Sequence, residues 1–521
     1  MAKLIKPSYD TCIALTKAID AYIAKANDDL SEEMADAGYV DSKDSVKGAN
    51  ELEEEVSEIL TEQTQEIAEV VEGAGTIPKA KKKVKEYFEN DTTGVLLSDT
   101  FVDYFQETVM SLSNAYMKET EGDLVVSELR QRTSSWIYEW SDQLSDLMQL
   151  SSENQMGTLL QQALDNGESC MTLAQRLINE GIRNEGYRAR ATAVTEMLRA
   201  HSVSQQEAIM QSPATDRKKW VHSGAHKNKP RENHVAMSGQ IVPKAEPFEL
   251  TGRDGGTYHP MYPRDPVLPA AETINCHCIH IPISNDDVLG LSYEERQQMQ
   301  QDIIAADNGE WEKDLDRQNR LRSGLSENLG EQEESQDINA NTLVDKQYIY
   351  SKEYSEKFQQ FGEEKSVTKK IRATSIEMLK HRSGTVYEDL TYVYTTGGSP
   401  RMQMDYEDED HVEPTKKMEE KRKSVPSHTV IGIHNHPKNP EPSLADLRAC
   451  RDRKYKYGVV VCHNGRIYKY SVSDDFNEPM AAGGLAFFRD LDYTLTQEEA
   501  DDIISKAINV LRESGVEMEV Y

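Results

Sequence analysis

Cysteine is scarce in this chain. Six thiols in 521 residues are too few and too scattered for a disulfide scaffold. No secretory leader pattern opens the sequence, so a reducing compartment is expected. No stretch approaches the run of about 20 apolar residues that spans a bilayer, so no membrane anchor is expected. Positive charge is also in short supply. Lys and Arg number 59 against 91 Asp and Glu, a formal net charge of −32. A non-specific nucleic-acid binder needs a basic footprint, so the balance disfavours a DNA-packaging surface and favours polar protein partners. Two local basic clusters stand out, Lys79–Lys85 and Lys416–Lys423. The first reads as the solvated face of a helix and the second as a loop. DNA contact at either is not supported by the net charge. No internal repeat is found at any period.

What the chain does have is a dense run of chemistry-bearing residues at 432–446: Gly-Ile-His434-Asn-His436-Pro-Lys-Asn-Pro-Glu-Pro-Ser443-Leu-Ala-Asp446. The preceding Thr429–Ile433 is apolar and β-branched and reads as a strand. Residues two apart on a strand share a face, so His434 and His436 can aim two imidazoles at one point. Pro437 ends the strand, Pro440 and Pro442 shape a loop, and Ser443 opens a helix that returns Asp446 toward that point. Two imidazoles and one carboxylate leave a fourth position for water, the ligand count of a catalytic zinc site. The plainer reading of Ser443 and Asp446 is a helix N-cap with an acidic residue at N3. Asn435 could suggest an HNH nuclease, but no ββα unit surrounds it.

The conjunction of His-Asn-His-Pro with Pro-x-Pro-Ser-x-x-Asp resembles the JAMM (MPN-type) metallopeptidase family, most of all its RadC-like branch. The resemblance covers roughly 346–475. It implies an α/β fold, zinc on His434, His436 and Asp446, and a glutamate on an earlier strand that deprotonates water. Glu388, in the strand candidate Thr385–Tyr394, is the best match, and Asp389 is the neighbour that could be confused with it. The Ser443 hydroxyl would help hold the oxyanion. Downstream, Tyr457–Cys462 and Arg466–Tyr470 flank Asn464-Gly465, a strong hairpin signal.

A second signal lies in the middle. A long helix is expected over Tyr187–Met210, containing Ala193-Val-Thr195-Glu196-Met-Leu-Arg199-Ala200. Residues 216–281 then run through Lys219-Trp220, Arg231-x-x-His234, Gly239, Phe248 and Tyr262-Pro263 to Asn275-Cys276-His277-Cys278. In this order the motifs resemble the phage Mu F-like minor head protein family over roughly 150–285. Many members end in Cys-Arg-Cys; here His277 replaces the arginine. The resemblance implies a minor capsid component of the virion head, bound to the portal protein at the portal vertex and present in host cytoplasm during assembly. Cys276 and Cys278 have two readings. They could bind zinc with His234 and either His222 or His259 in a tetrahedral set, or they could be small buried packing residues. A disulfide between them would close a very small, strained ring.

The expected architecture is multidomain. Residues 1–149 read as helical and portal-facing, with helices over Leu4–Ala26, Ala49–Glu72, Lys79–Asn90, Ser98–Lys118 and Asp123–Met148. An irregular α+β module follows at 150–285, opening with helices over Met156–Asn166 and Thr172–Glu180. Residues 286–345 read as a helix and an acidic flexible linker, 346–475 as the α/β zinc domain, and 476–521 as a helical extension. In that extension the tail Val516–Tyr521 can pair with a sheet edge. Trp136 and Trp140 share a helical face and read as core. Two functions remain open from the sequence. One is a minor head protein carrying a zinc peptidase, with capsid or scaffold proteins as partners. The other is a purely structural head protein whose C-terminal domain only binds a partner.

Overall fold

The computed structural model describes residues 27–182, 184–222, 230–274, 276–306, 314, 317–318, 321, 339–409, 411–438, 441–490 and 497–521. The expected helix Leu4–Ala26 and most of the expected linker lie outside them, as do Asn275 and Pro440. Among the described residues no helix is long and apolar enough to cross a membrane. The chain forms two compact units: Met1–Glu58 with Thr100–Leu144 and Arg183–Glu331, and Ile59–Asp99 with Ser145–Ile182 and Gln332–Tyr521. Both are discontinuous in sequence, unlike the linear segments expected. The reason is that the helices Ser42–Glu72, Thr93–Glu121 and Gln131–Asp165 each give one stretch to each unit.

The helix Gln131–Asp165 spans what the sequence reads as two helices. The polar stretch near Ser152 does not break it; the Ser152 hydroxyl turns back along the helix and donates to the Met148 carbonyl at 3.3 Å. Breaks do fall at the glycines after Glu72 and at Asp91, whose carboxylate accepts from the Thr93 amide at 3.0 Å.

In the first unit the helix Glu185–Gln211 runs through the interior, and from Thr195 to Gln211 every residue is buried. Many of these are polar, so each needs a partner. Glu196 accepts from the Trp140 indole at 2.7 Å and from Arg199 at 2.8 Å. Glu207 accepts from the Arg130 amide at 2.9 Å and from Gln211 at 2.7 Å. His201 stands between the Tyr116 hydroxyl and the Ser45 hydroxyl, each at 2.9 Å. Beside this helix lies a small antiparallel sheet of strands β1 (Thr215–Val221), β2 (Ile241–Pro243) and β5 (Ile279–Ser284), in the order β2-β1-β5. A short hairpin, β3 (Leu250–Thr251) with β4 (Thr257–Tyr258), forms a separate two-stranded sheet. Trp220, Phe248, Leu250, Cys276 and Cys278 form one apolar cluster.

The second unit is built on a six-stranded sheet in the order β11-β10-β9-β8-β6-β7. Its strands are β6 (Leu390–Tyr394), β7 (Arg401–Gln403), β8 (Val430–His436), β9 (Tyr457–Cys462), β10 (Ile467–Val472) and β11 (Val516–Val520). Every residue of β8 and β9 is buried, and these two strands are the parallel pair. That is the pattern of strands covered on both faces. The expected hairpin forms between β9 and β10, with Gly465 at φ +82°. The segment 476–521, expected as a helical extension, is part of this same fold. Its helices Glu478–Ala486 and Gln497–Glu513 pack together, and β11 extends the sheet along β10. The basic cluster at Lys416 is a helix, Lys416–Ser424, and not the expected loop. Thr415 caps it by accepting the Met418 amide, and Met418 is buried.

Two glycines in adjacent parallel strands leave room for tyrosine rings. A Cβ on Gly432 would stand 2.5 Å from the Tyr455 ring. Close approach of this kind is why glycine persists inside a strand. Gly432→Ala is expected to lower stability by about 1–3 kcal/mol through overpacking. Chemical denaturation checks it, and an unchanged midpoint would mean the ring has somewhere to go.

Candidate metal centres

The first centre grows out of the pairing of β6 with β8. Leu390 pairs with His434, and paired residues share a face of the sheet. Two residues earlier, Glu388 falls on that face too, while Asp389 falls on the other. The structure bears out this alternation. The Glu388 carboxylate comes within 3.7 Å of His436 Nε2. Asp389 turns the other way and meets Arg382 at 2.6 Å and His381 at 2.7 Å. That pair is fully covered, and burial pushes the Asp389 carboxyl up despite both partners.

His434 Nε2 and His436 Nε2 lie 3.0 Å apart. Asp446 Oδ1 is 3.2 Å from His434 Nε2, and Asp446 Oδ2 is 3.6 Å from His436 Nε2. The structure thus brings all four sequence-predicted residues of this centre together, with Ser443 on the rim of the same cavity of about 500 Å³. The helix Leu444–Asp452 positions Asp446 through a capping box: Ser443 Oγ accepts from the Asp446 amide, and Asp446 Oδ2 accepts from the Ser443 amide at 2.7 Å. The helix-cap reading of Ser443 and Asp446 is thus observed, and the cap leaves Asp446 Oδ1 facing His434. Burial pushes the Asp446 carboxyl up, but His434 and His436 outweigh it and hold Asp446 well below the carboxylate range. Burial pulls His434 down, and Asp446 and Glu388 more than reverse it.

Sequence reasoning missed what holds Glu388 in place. Asn435, between the two histidines and fully buried, accepts from the Asp389 amide at 2.7 Å and donates to the Tyr387 carbonyl at 3.2 Å. It grips the peptide groups on either side of Glu388. Its amide also meets His463 Nε2 at 3.1 Å, and His463 Nδ1 in turn meets the Thr342 carbonyl at 2.6 Å. The position between two strand histidines was visible in the sequence; the long-range partners were not.

The second centre lies in the first unit. His234 Nδ1, Cys276 Sγ and Cys278 Sγ lie within 4.8 Å of one another and are all buried. Nδ1 is 3.4 Å from Cys276 Sγ and 3.6 Å from Cys278 Sγ. Of the two histidines considered for the fourth place, His222 stands with Nδ1 3.6 Å from Cys278 Sγ. His277 is not part of the convergent group. Three groups around the centre gave no sequence signal. Glu272 meets His234 Nε2 at 2.9 Å. Arg264 donates to the Cys276 and Cys278 carbonyls at 2.6 and 2.9 Å, and the Tyr39 hydroxyl donates to the Cys278 carbonyl at 3.2 Å. A hydrogen bond from Cys278, then His234 and Arg264, holds the Cys276 thiol below its ordinary range, while Cys278 is pushed up.

Residues 154–281 match the family model described as Phage Mu protein F like protein. The match falls within the segment expected from the motifs, and it suggests a phage head morphogenesis protein and a virion location. The "Uncharacterized protein YqbB" of Bacillus subtilis (strain 168) is 29% identical over 301 residues, covering 56% of this chain and 97% of that one. No solved structure matches the chain. The Mu F-like domain places its motif residues in one network. Arg199 stacks 4.2 Å over Trp140 and donates to the Arg264 carbonyl, and Arg264 grips the Cys-x-Cys backbone.

Removing Asp389 strands the buried Arg382. Asp389→Ala is expected to cost about 3–5 kcal/mol, the usual price of breaking a buried pair from one side. Equilibrium unfolding reads this directly, and a loss below about 1 kcal/mol would mean the Met404 and Tyr406 carbonyls suffice for Arg382.

Proposed function

We propose that this is a minor head protein that associates with the portal vertex and carries a JAMM-type zinc metallopeptidase or isopeptidase in its second unit. The observation that carries the reading is the convergence of Glu388, His434, His436 and Asp446 at the cavity wall. Fit to the metal is tested by spacing. Ligand bonds of about 2.0–2.2 Å at tetrahedral angles separate ligand atoms by about 3.3–3.5 Å. The His434–His436 separation of 3.0 Å and the Asp446 Oδ1–His434 separation of 3.2 Å lie just inside that value, and the capping oxygen Oδ2 stands 3.6 Å from His436. His434, His436 and Asp446 would hold the ion and leave a position facing the cavity.

When bound, zinc supplies Lewis acidity and a water acidified to a pKa of about 7. Glu388, held by Asn435, takes the proton of the attacking water and returns it to the leaving amine. The Ser443 oxygen already accepts from Asp446, which leaves its O–H free to donate to the scissile carbonyl oxygen. The substrate is an amide or isopeptide bond in an extended segment of a capsid, scaffold or host protein. A second reading, a non-catalytic partner-binding module, has one observation in its favour. Asp446 is satisfied by its capping box and His434 with no ion invoked.

Three experiments test these readings. In a Cys276→Ser, Cys278→Ser background, His434→Ala or Asp446→Ala is expected to remove zinc from the protein, because two remaining ligands bind weakly. Elemental analysis decides, and a full zinc complement in both would remove the proposed site. Glu388→Gln is expected to keep zinc and fold while lowering kcat about 10²–10⁴-fold. Loss of zinc in this variant would make Glu388 a ligand, and absence of any cleavage by the zinc-loaded wild type would favour the binding module. Asn435→Ala should also keep zinc and lose on the order of 10²-fold in kcat, since Glu388 is then misplaced. Unchanged kcat would show that Asn435 serves packing alone.

A further inference from the structure

We infer that Cys276, Cys278, His234 and His222 form a closed structural zinc site in the Mu F-like domain, with Glu272 fixing the tautomer of His234. The inference does not rest on the peptidase reading.

The spacing is that of a tetrahedral metal site. With Zn–S of about 2.3 Å and Zn–N of about 2.0–2.1 Å, tetrahedral angles separate S from N by about 3.6 Å. The three S···N distances in the structure are 3.4, 3.6 and 3.6 Å. The orientation of the His234 ring suits a ligand. Glu272 accepts from the Arg253 amide at 2.8 Å, from Asn233 at 3.1 Å and from His234 at 2.9 Å. An ionised carboxylate only accepts, so His234 turns an Nε2–H toward Glu272 while Nδ1 faces both sulfurs. A carboxylate behind a metal-bound imidazole is the usual outer support of such a ligand.

The donor set selects the metal. Two thiolates and two neutral imidazoles balance a divalent ion, and a tetrahedral sulfur–nitrogen set suits zinc. His234, Cys276 and Cys278 are buried and mutually convergent, and the half-buried His222 stands beside Cys278 as the fourth donor, so a full protein shell leaves no position for substrate and the ion is structural. It would tie three separated segments together: the end of β1 at His222, the helix Glu232–Met237 at His234, and the approach to β5 at Cys276 and Cys278. Arg264 and Tyr39 hold the cysteine carbonyls. That pins the backbone and leaves the two sulfurs aimed at His234. Both cysteines are free thiols.

The test uses the full chain carrying His434→Ala and Asp446→Ala, so that the other centre contributes no metal. Purified from zinc-replete cells, it is expected to hold one zinc per chain. Replacement by cobalt(II) should give thiolate-to-cobalt charge-transfer absorption with tetrahedral ligand-field bands. Adding Cys276→Ser and Cys278→Ser should abolish both the zinc and the charge-transfer band. Because that variant can fail to fold, Glu272→Gln gives a second readout. It should still bind zinc, but about 10–100-fold more weakly in competition with a chelator. Zinc retained after both cysteines are replaced would overturn the site. So would a metal-free, folded protein whose melting curve ignores chelator and whose two thiols titrate freely.

Discussion

Every polar group carried into the interior of this protein needs a partner, and both candidate centres arise where that partner is a backbone carbonyl or amide. An unmet group costs about 1–3 kcal/mol, so a met one is a strong constraint on the backbone it touches. Arg264 is covered on all sides and spends its guanidinium on the Cys276 and Cys278 carbonyls and the Ser202 hydroxyl. The chain at the Cys-x-Cys is thereby held by its backbone, and its side chains are free to converge. Asn435 works in the same way in the other unit. By holding the peptides that flank Glu388, it fixes the backbone that carries that carboxylate.

The same requirement explains the interior helix of the Mu F-like domain. Its buried face is not an apolar stripe, and its order comes from Glu196, Arg199, His201 and Glu207, each with a named partner. A sequence motif such as Thr195-Glu196 with Arg199 therefore has a physical meaning that does not involve catalysis. It is a buried network that reaches through Arg199 and Arg264 to the cysteines.

This also sets what could be read from the sequence. Periodicity of two put His434 and His436 on one face, and Asn-Gly marked the hairpin; both are local properties. Alternation alone put Glu388 and Asp389 on opposite faces without saying which was which. That depended on Arg382 and His381 waiting on a separate helix. The choice of His222 beside Cys278, and Glu272 behind His234, rested on contacts spanning tens of residues. Local polarity misled near Ser152 and at Lys416, where an i−4 hydrogen bond and a threonine cap make helix of polar sequence. The domain boundary at 475 failed for a topological reason: β11 must pair with β10 to finish the sheet.

The two centres differ in the way their surroundings dictate. At Cys276 and Cys278 the thiols are buried within the apolar cluster of Trp220 and Phe248, and the convergent donors are two sulfurs and the His234 nitrogen, with His222 beside Cys278. At His434 and His436 the donors are hard, number three with Asp446, and stand at a cavity wall with a carboxylate beside them. Asp446 can serve there because its two oxygens divide the work. Oδ2 completes the capping box of its own helix, and Oδ1 faces His434. A helix N-terminus stabilises a carboxylate, so the same geometry that starts the helix keeps Asp446 ionised in a buried place. The cap reading of Ser-x-x-Asp does not compete with the proposed ligand role: the oxygen used by the cap is not the one that faces His434.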